Sequence, residues 1–159
     1  MENTLHRLVR WAAVSSVALM PLLAWAHETT VGSLVVEHPY ALPTGPGETV
    51  GAVYLRALRN EGQRADRLVG VASPVAQRAE IQGFDRAHPE VPPRPLPSVE
   101  LPAGAAMRLR HDGRVRLALI GLERPLHEGE RIPVTLRFEH AGECELTVWV
   151  QRPRPHVQP

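Results

Sequence analysis

From Ile132 onward the chain alternates, with Ile132, Val134, Leu136 and Phe138 on one side and Pro133, Thr135, Arg137 and Glu139 on the other. A period of two marks a half-buried strand, because successive side chains leave a pleated backbone on opposite faces. After Ala141-Gly142 a second run resumes, with Cys144, Leu146, Val148 and Val150 in phase against Glu145, Thr147, Trp149 and Gln151. The two runs predict a hairpin. Asp112-Gly113 separates two further apolar-rich runs, 105–110 and 114–121, and Asp-Gly favours the positive φ angles of a tight primed turn, which predicts a second hairpin. Earlier strands are predicted over 31–37, 50–59, 68–72 and 79–84, each bounded by Gly, Pro or Asn, and no stretch of 12 or more residues carries capped helical periodicity. Short strands with turn signals at near-regular spacing predict an all-β, antiparallel sandwich or barrel.

Two segments break the alternation. Residues 88–97 read HPEVPPRPLP; proline cannot donate to a sheet ladder, so this stretch is expected as an extended loop or an edge. Residues 151–159, QRPRPHVQP, are similarly proline-rich and are expected to fray as a carboxyl-terminal tail.

At the amino end the pattern is of a different kind. Arg7 and Arg10 precede an uncharged, largely apolar run from Trp11 to Leu23, and Ala24-Trp25-Ala26 follows. That is the layout of a secretory signal peptide over 1–26, with cleavage after Ala26 and His27 as the mature amino terminus. The apolar run is short for a transmembrane helix, which needs about 20 residues, and no second apolar run follows. No membrane span is therefore expected after cleavage, and the destination is the periplasm. The mature domain is expected over 27–150.

Composition narrows the partners. The chain has 18 basic and 17 acidic residues; without Arg7, Arg10 and Glu2 the balance is neutral, so no clustered basic footprint invites nucleic acid. All the basic residues are Arg, which leaves no lysine nucleophile. Cys144 is the sole cysteine, so the domain has no internal disulfide and must be held by its core. The 133 residues after Ala26 suffice for one core.

With the strands placed, residues 35–62, VVEHPYALPTGPGETVGAVYLRALRNEG, resemble the opening signature of the PCuAC periplasmic copper chaperones: a His-Pro-aromatic turn and a Pro-Gly loop leading into a strand that ends in Asn-x-Gly. RLVGVASPVAQRAEI at 67–81, VELPAG at 99–104 and LALIGLERPLHEGERIPVTLRFEHAG at 117–142 continue the resemblance in order and spacing across nearly the whole mature chain. It implies a cupredoxin-like, Greek-key β-sandwich that carries Cu(I), typically for assembly of the copper centre of cytochrome oxidase. Cytochrome oxidase assembly proteins or another periplasmic copper protein are then the expected partners. A metal-free binding or assembly module on the same fold is the alternative.

The resemblance also assigns ligand positions: a His at the end of the strand matching 79–82, a Met in the following loop, and a His-x-Met on the strand matching 115–120. Here these positions carry Gln82, Pro93, Arg116 and Ala118. Cu(I) is held by thioether sulfur and imidazole nitrogen; a guanidinium is a permanent cation without a lone pair to give, and Ala and Pro offer nothing. The family's ligands are thus absent and copper binding is doubtful. His88, Met107 and His111 are the soft or imidazole groups expected nearby, and they are candidate replacements. The plainer reading makes Met107 a core filler and His88 and His111 solvated loop residues, as for His127 and His140.

His27 is a separate case, since a mature amino-terminal His offers its α-amine and imidazole together, a grip suited to Cu(II), with His38 or the tail His156 as a further ligand. The plainer reading makes His27 a frayed first residue and His38 a turn residue beside Pro39. Enzymatic signatures are missing: Ser33, Ser73 and Ser98 sit in no Gly-x-Ser-x-Gly elbow, and Cys144 is in phase with the apolar face of its strand, where a thiol is inert. The expectation is a binding protein and not an enzyme.

Overall fold

The computed structural model describes residues 28–152. The predicted leader, His27 and His156 lie outside the described residues. Eleven strands and no helix make up the described part: β1 (Glu28–Val31), β2 (Leu34–Ala41), β3 (Val50–Asn60), β4 (Asp66–Ala72), β5 (Ala76–Gly83), β6 (Arg94–Pro95), β7 (Val99–Leu101), β8 (Ala106–Leu109), β9 (Val115–Leu122), β10 (Arg131–Phe138) and β11 (Gly142–Val150). They hydrogen-bond in the order β6-β5-β9-β3-β2-β11-β10-β4-β7, with β1 on β2 and β8 on β3. The sheet curls over itself into a cupredoxin-like sandwich around one main core. Every pair is antiparallel except β11 with β2, which runs parallel.

The β10–β11 hairpin forms in the predicted phase, with Ile132 opposite Val148, Val134 opposite Leu146 and Leu136 opposite Cys144. All six are buried, as are Phe138 and Val150. Two other readings are corrected. The run 31–37 is not one strand: Gly32, at φ +56°, and Ser33 turn the chain so that β1 folds back on β2, with Val31 opposite Leu34. A Gly-first two-residue loop matches the twist of the strands it joins. The second predicted hairpin is absent as a ladder. The Asp112-Gly113 turn does form, with the Gly113 N–H donating to the Arg110 carbonyl at 2.8 Å, but β8 and β9 both pair with β3, at opposite ends of it. At 11 residues β3 is long enough to hold both.

Holding two neighbours along one edge requires a corner. In β2 the fully buried positions are Leu34 and Val36 before His38 and Ala41 after it, and in β3 they are Val53 and Leu55 before the register shift and Leu58 after it. The inward phase changes by one residue in both strands. His38, the only non-glycine at positive φ among the described residues (+43°), makes the change in β2, at a cost of about 1–2 kcal/mol for a residue with a Cβ.

Buried polar groups fasten the loops. Asn60, 1% exposed, donates to the carbonyls of Arg64 and Leu101 (2.7 and 3.1 Å) and accepts from the Gly62 N–H (3.0 Å). A Cβ on Gly62 would lie 2.4 Å from the Ser33 hydroxyl, so the Asn-x-Gly sequence is a requirement of packing. Asp66 accepts backbone N–H groups from Arg67 (2.7 Å), His140 (3.0 Å) and Ala141 (2.9 Å), pinning the β10–β11 turn to the start of β4.

Candidate functional site

Register alone gathers a row of side chains across the outer face. On β5 and β9, Gln82 is opposite Arg116 and Glu80 opposite Ala118, and on β3 Ala52 is opposite Ala118. Tyr54 on β3 is opposite Tyr40 on β2, Tyr40 is beside Trp149 on β11, and Trp149 is opposite Arg131 on β10. Directly opposed residues share a face and touch. At the edge, Pro95 of β6 is opposite Gln82, and Arg94 is opposite Gly83.

The Gln82 end of the row is a closed polar network. Arg116 Nε donates to Gln82 Oε1 at 2.9 Å, and Gln82 Nε2 donates to Glu80 Oε1 at 2.6 Å. The Arg116 guanidinium lies over the Phe84 ring, 4.6 Å from its centroid, a placement that the negative ring face favours. Gln82 is buried and Arg116 half-buried, so the oxygen and the nitrogen of this desolvated side-chain amide each have a partner.

In the middle, Tyr40 and Tyr54 stack with ring centroids 5.4 Å apart, and His111 meets both edge-on. The Tyr40 hydroxyl and His111 Nδ1 are hydrogen-bonded at 2.9 Å, and the His111 N–H donates to the same hydroxyl at 3.2 Å. Burial raises the Tyr40 phenol above its ordinary value against the pull of the His111 N–H, and burial raises Tyr54 against the positive charge of Arg116. Both stay neutral hydroxyls at physiological pH. At the far end Trp149 is exposed, with Arg131 5.5 Å from its ring centroid.

The residues to which the resemblance assigns copper thus share a neighbourhood. Gln82 and Arg116 touch, Ala118 lies two positions along β9 on the same face, and Pro93 immediately precedes β6. The candidate replacements do not come together there. Met107 is opposite Leu58 and packs on the main core, so the expectation that its strand pairs with the one bearing Arg116 is corrected. His88 is exposed and hydrogen-bonded through Nδ1 to Asp85 at 3.0 Å. His111 alone reaches the face, through the tyrosine pair, and among the described residues no three His, Cys, Asp or Glu side chains are grouped to hold a metal ion. Sequence reasoning missed Tyr40, Tyr54, Trp149 and Glu80. Period two applied to β3 puts Tyr54 out of phase with Val53 and Leu55, which was the available signal.

Comparison with known proteins agrees with this architecture. Residues 34–150 match the family model described as "Putative lipoprotein LpqE-like". The chain belongs to the LpqE-like family. No curated protein matches it. Among solved structures, this LpqE-like chain is similar to the apo PCuAC domain from PmoF1, at 31% identity and TM-score 0.69, over 80% of this chain and 100% of that one. It is also similar to the copper-bound PCuAC domain from PmoF2, at 26% identity and TM-score 0.67, over 80% and 99%. The Cu(I) form of DR1885 from Deinococcus radiodurans, at 24% identity and TM-score 0.58 over 80% and 83%, shares the fold. The LpqE-like chain therefore has the PCuAC fold, one of copper-binding domains.

Proposed function

We propose that this LpqE-like chain is an exported, periplasmic relative of the copper chaperones that serves assembly of a copper centre, cytochrome oxidase being the expected client, with a degenerate Cu(I) face. The observation carrying this reading is the Arg116–Gln82–Glu80 network. Where the resemblance assigns imidazole and thioether there is a fixed cation, hydrogen-bonded in register and stacked on Phe84. A half-buried guanidinium repels a metal cation, and its partner amide is a poor ligand for a soft ion. The basic n-region and Ala24-Trp25-Ala26 support export.

The test is a Cu(I) titration against a competing chelator. The unmodified domain is expected to bind Cu(I) weakly, and the combined substitution Gln82→His, Pro93→Met, Arg116→His and Ala118→Met to raise affinity sharply. Tight binding of one Cu(I) by the unmodified domain, abolished by His88→Ala, Met107→Ala or His111→Ala, would overturn the degenerate reading. The metal-free module is favoured by one feature, the exposed Trp149 with its Arg131 at the end of a row of buried tyrosines, because exposed aromatic–arginine pairs are typical of protein interfaces.

A further inference from the structure

Folding gathers charge that the chain-wide balance hides. Arginines converge on the Asp112-Gly113 turn and the tyrosine pair. Arg86 donates through Nη1 to the Gly113 carbonyl at 3.2 Å, and the Arg114 carbonyl accepts the Phe84 N–H at 2.8 Å, beside the ring that carries Arg116. On β8 the inward Leu109 is opposite the inward Leu55 of β3, so Arg108 and Arg110 leave on the outer face with Arg56, the neighbour of Leu55. The positive charges of Arg110 and Arg116 reach the phenols of Tyr40 and Tyr54. Arg56, Arg86, Arg108 and Arg114 are exposed. Against these six guanidinium groups stand four carboxylates: Glu80, bonded to Gln82; Asp85, paired with His88; Asp112, 3.5 Å from Arg110; and Glu90 of the loop after Phe84. The other described residues carry nine arginines and twelve carboxylates, so this end is positive and the rest of the described chain negative.

The positive rim borders the aromatic row. β9, β3, β2 and β11 are consecutive neighbours, so Arg116, the tyrosine pair and Trp149 lie within about 14 Å across the strands, inside one docking patch. Tyrosine, tryptophan and arginine are the side chains in which protein interfaces are enriched and in which hot spots concentrate. We propose that this face docks an acidic protein surface, one whose carboxylates meet Arg56, Arg108 and Arg114 and whose apolar side chain covers Trp149. Complementary charge of this kind steers encounter and fixes register. The interleaved carboxylates favour a protein over a bilayer, because an anionic lipid surface is read by a cluster of about 4–8 basic residues, whereas the excess here is two. Docking needs no copper on the face, so the failure of this inference and the failure of the Cu(I) reading are separate results.

The experiment titrates the nitrogen-15-labelled chain, residues 27–159 and free of copper, with a short synthetic peptide of aspartate and phenylalanine, read by amide shifts in nuclear magnetic resonance. The amides of Arg56, Arg108 and Arg114 and the indole N–H of Trp149 are expected to move together, and binding to weaken as salt rises, because exposed charges are screened. Arg56→Gln with Arg108→Gln is expected to weaken binding about tenfold or more, and Trp149→Ala, which leaves every arginine in place, to do the same. Arg137→Gln removes an equal charge from the exposed side of β10 and is expected to change nothing. The proposal is overturned by absence of binding, by shifts elsewhere on the domain, by equal affinity for the peptide with asparagine in place of aspartate, or by full affinity in the double arginine variant. Phosphatidylglycerol vesicles form the other arm: tighter binding to them than to the peptide, lost in the double arginine variant, would assign the face to a membrane and overturn the protein partner.

Discussion

Replacing Asp66 by asparagine tests whether the buried carboxylate holds the sandwich closed at one end. Asp66 is 6% exposed; Oδ1 accepts the Arg67 and His140 N–H groups and Oδ2 the Ala141 N–H. Burial by itself would raise the pKa of this carboxyl, but the three N–H donors and the nearby His140 outweigh it and leave the pKa below its ordinary value. Asparagine keeps one acceptor oxygen and turns a donor amide toward one of the N–H groups. A buried donor left unsatisfied costs about 1–3 kcal/mol, and for a domain of this size ~2 kcal/mol lowers Tm by roughly 6–10 °C. The pH dependence has a definite sign. A carboxyl with depressed folded pKa contributes stability that is fully present above its unfolded pKa, about 3.9, and is lost as pH falls through the folded value. Urea unfolding of wild type and Asp66→Asn from pH 7 down to pH 2 is the assay. The two midpoints should differ at pH 7 and converge in acid. A gap that stays constant across the range would refute the electrostatic account, and no gap at all would refute the staple.

The Cys144 thiol is 4% exposed and raised in pKa by burial, so an aromatic disulfide reagent should fail to modify the native domain and react fully in denaturant. Rapid native reaction would place the thiol at the surface. Gly121, near the end of β9, sits at φ +72°, and a Cβ there would lie 2.8 Å from the Gln77 side chain; Gly121→Ala should destabilise by about 1–2 kcal/mol in chemical denaturation, and a neutral result would mean that the end of β9 takes another backbone conformation.

The β10–β11 hairpin was legible because both strands are buried on one face only, and a one-residue slip would expose the whole inward set from Ile132 to Val150. The β1–β2 turn was hidden inside an apolar run, although Gly32-Ser33 carries the local signal of a primed turn. The 105–121 region failed for another reason. Asp112-Gly113 reports that the chain turns, but which strand pairs with which is decided by β3, whose length accommodates both β8 and β9. The closeness of Gln82 and Arg116 came from family resemblance and not from pattern, since strand pairing between distant segments leaves no local trace. For the same reason the tyrosine pair and its His111 contact, which bring together β2, β3 and the turn after β8, could not be read from the chain.

The parallel contact of β11 with β2 gives the order of delivery a physical meaning. β11 is the last of the described strands, yet it lies between β2 and β10, and Val148 and Val150 are fully buried. Whether the chain emerges from a ribosome or from a translocation channel, ten strands arrive before the one that joins them. Distant pairings fold in the millisecond-to-second regime because loop closure must precede their reward. Until Val150 has been delivered, β2 and β10 have no common neighbour among the described strands, and the sheet order cannot be completed.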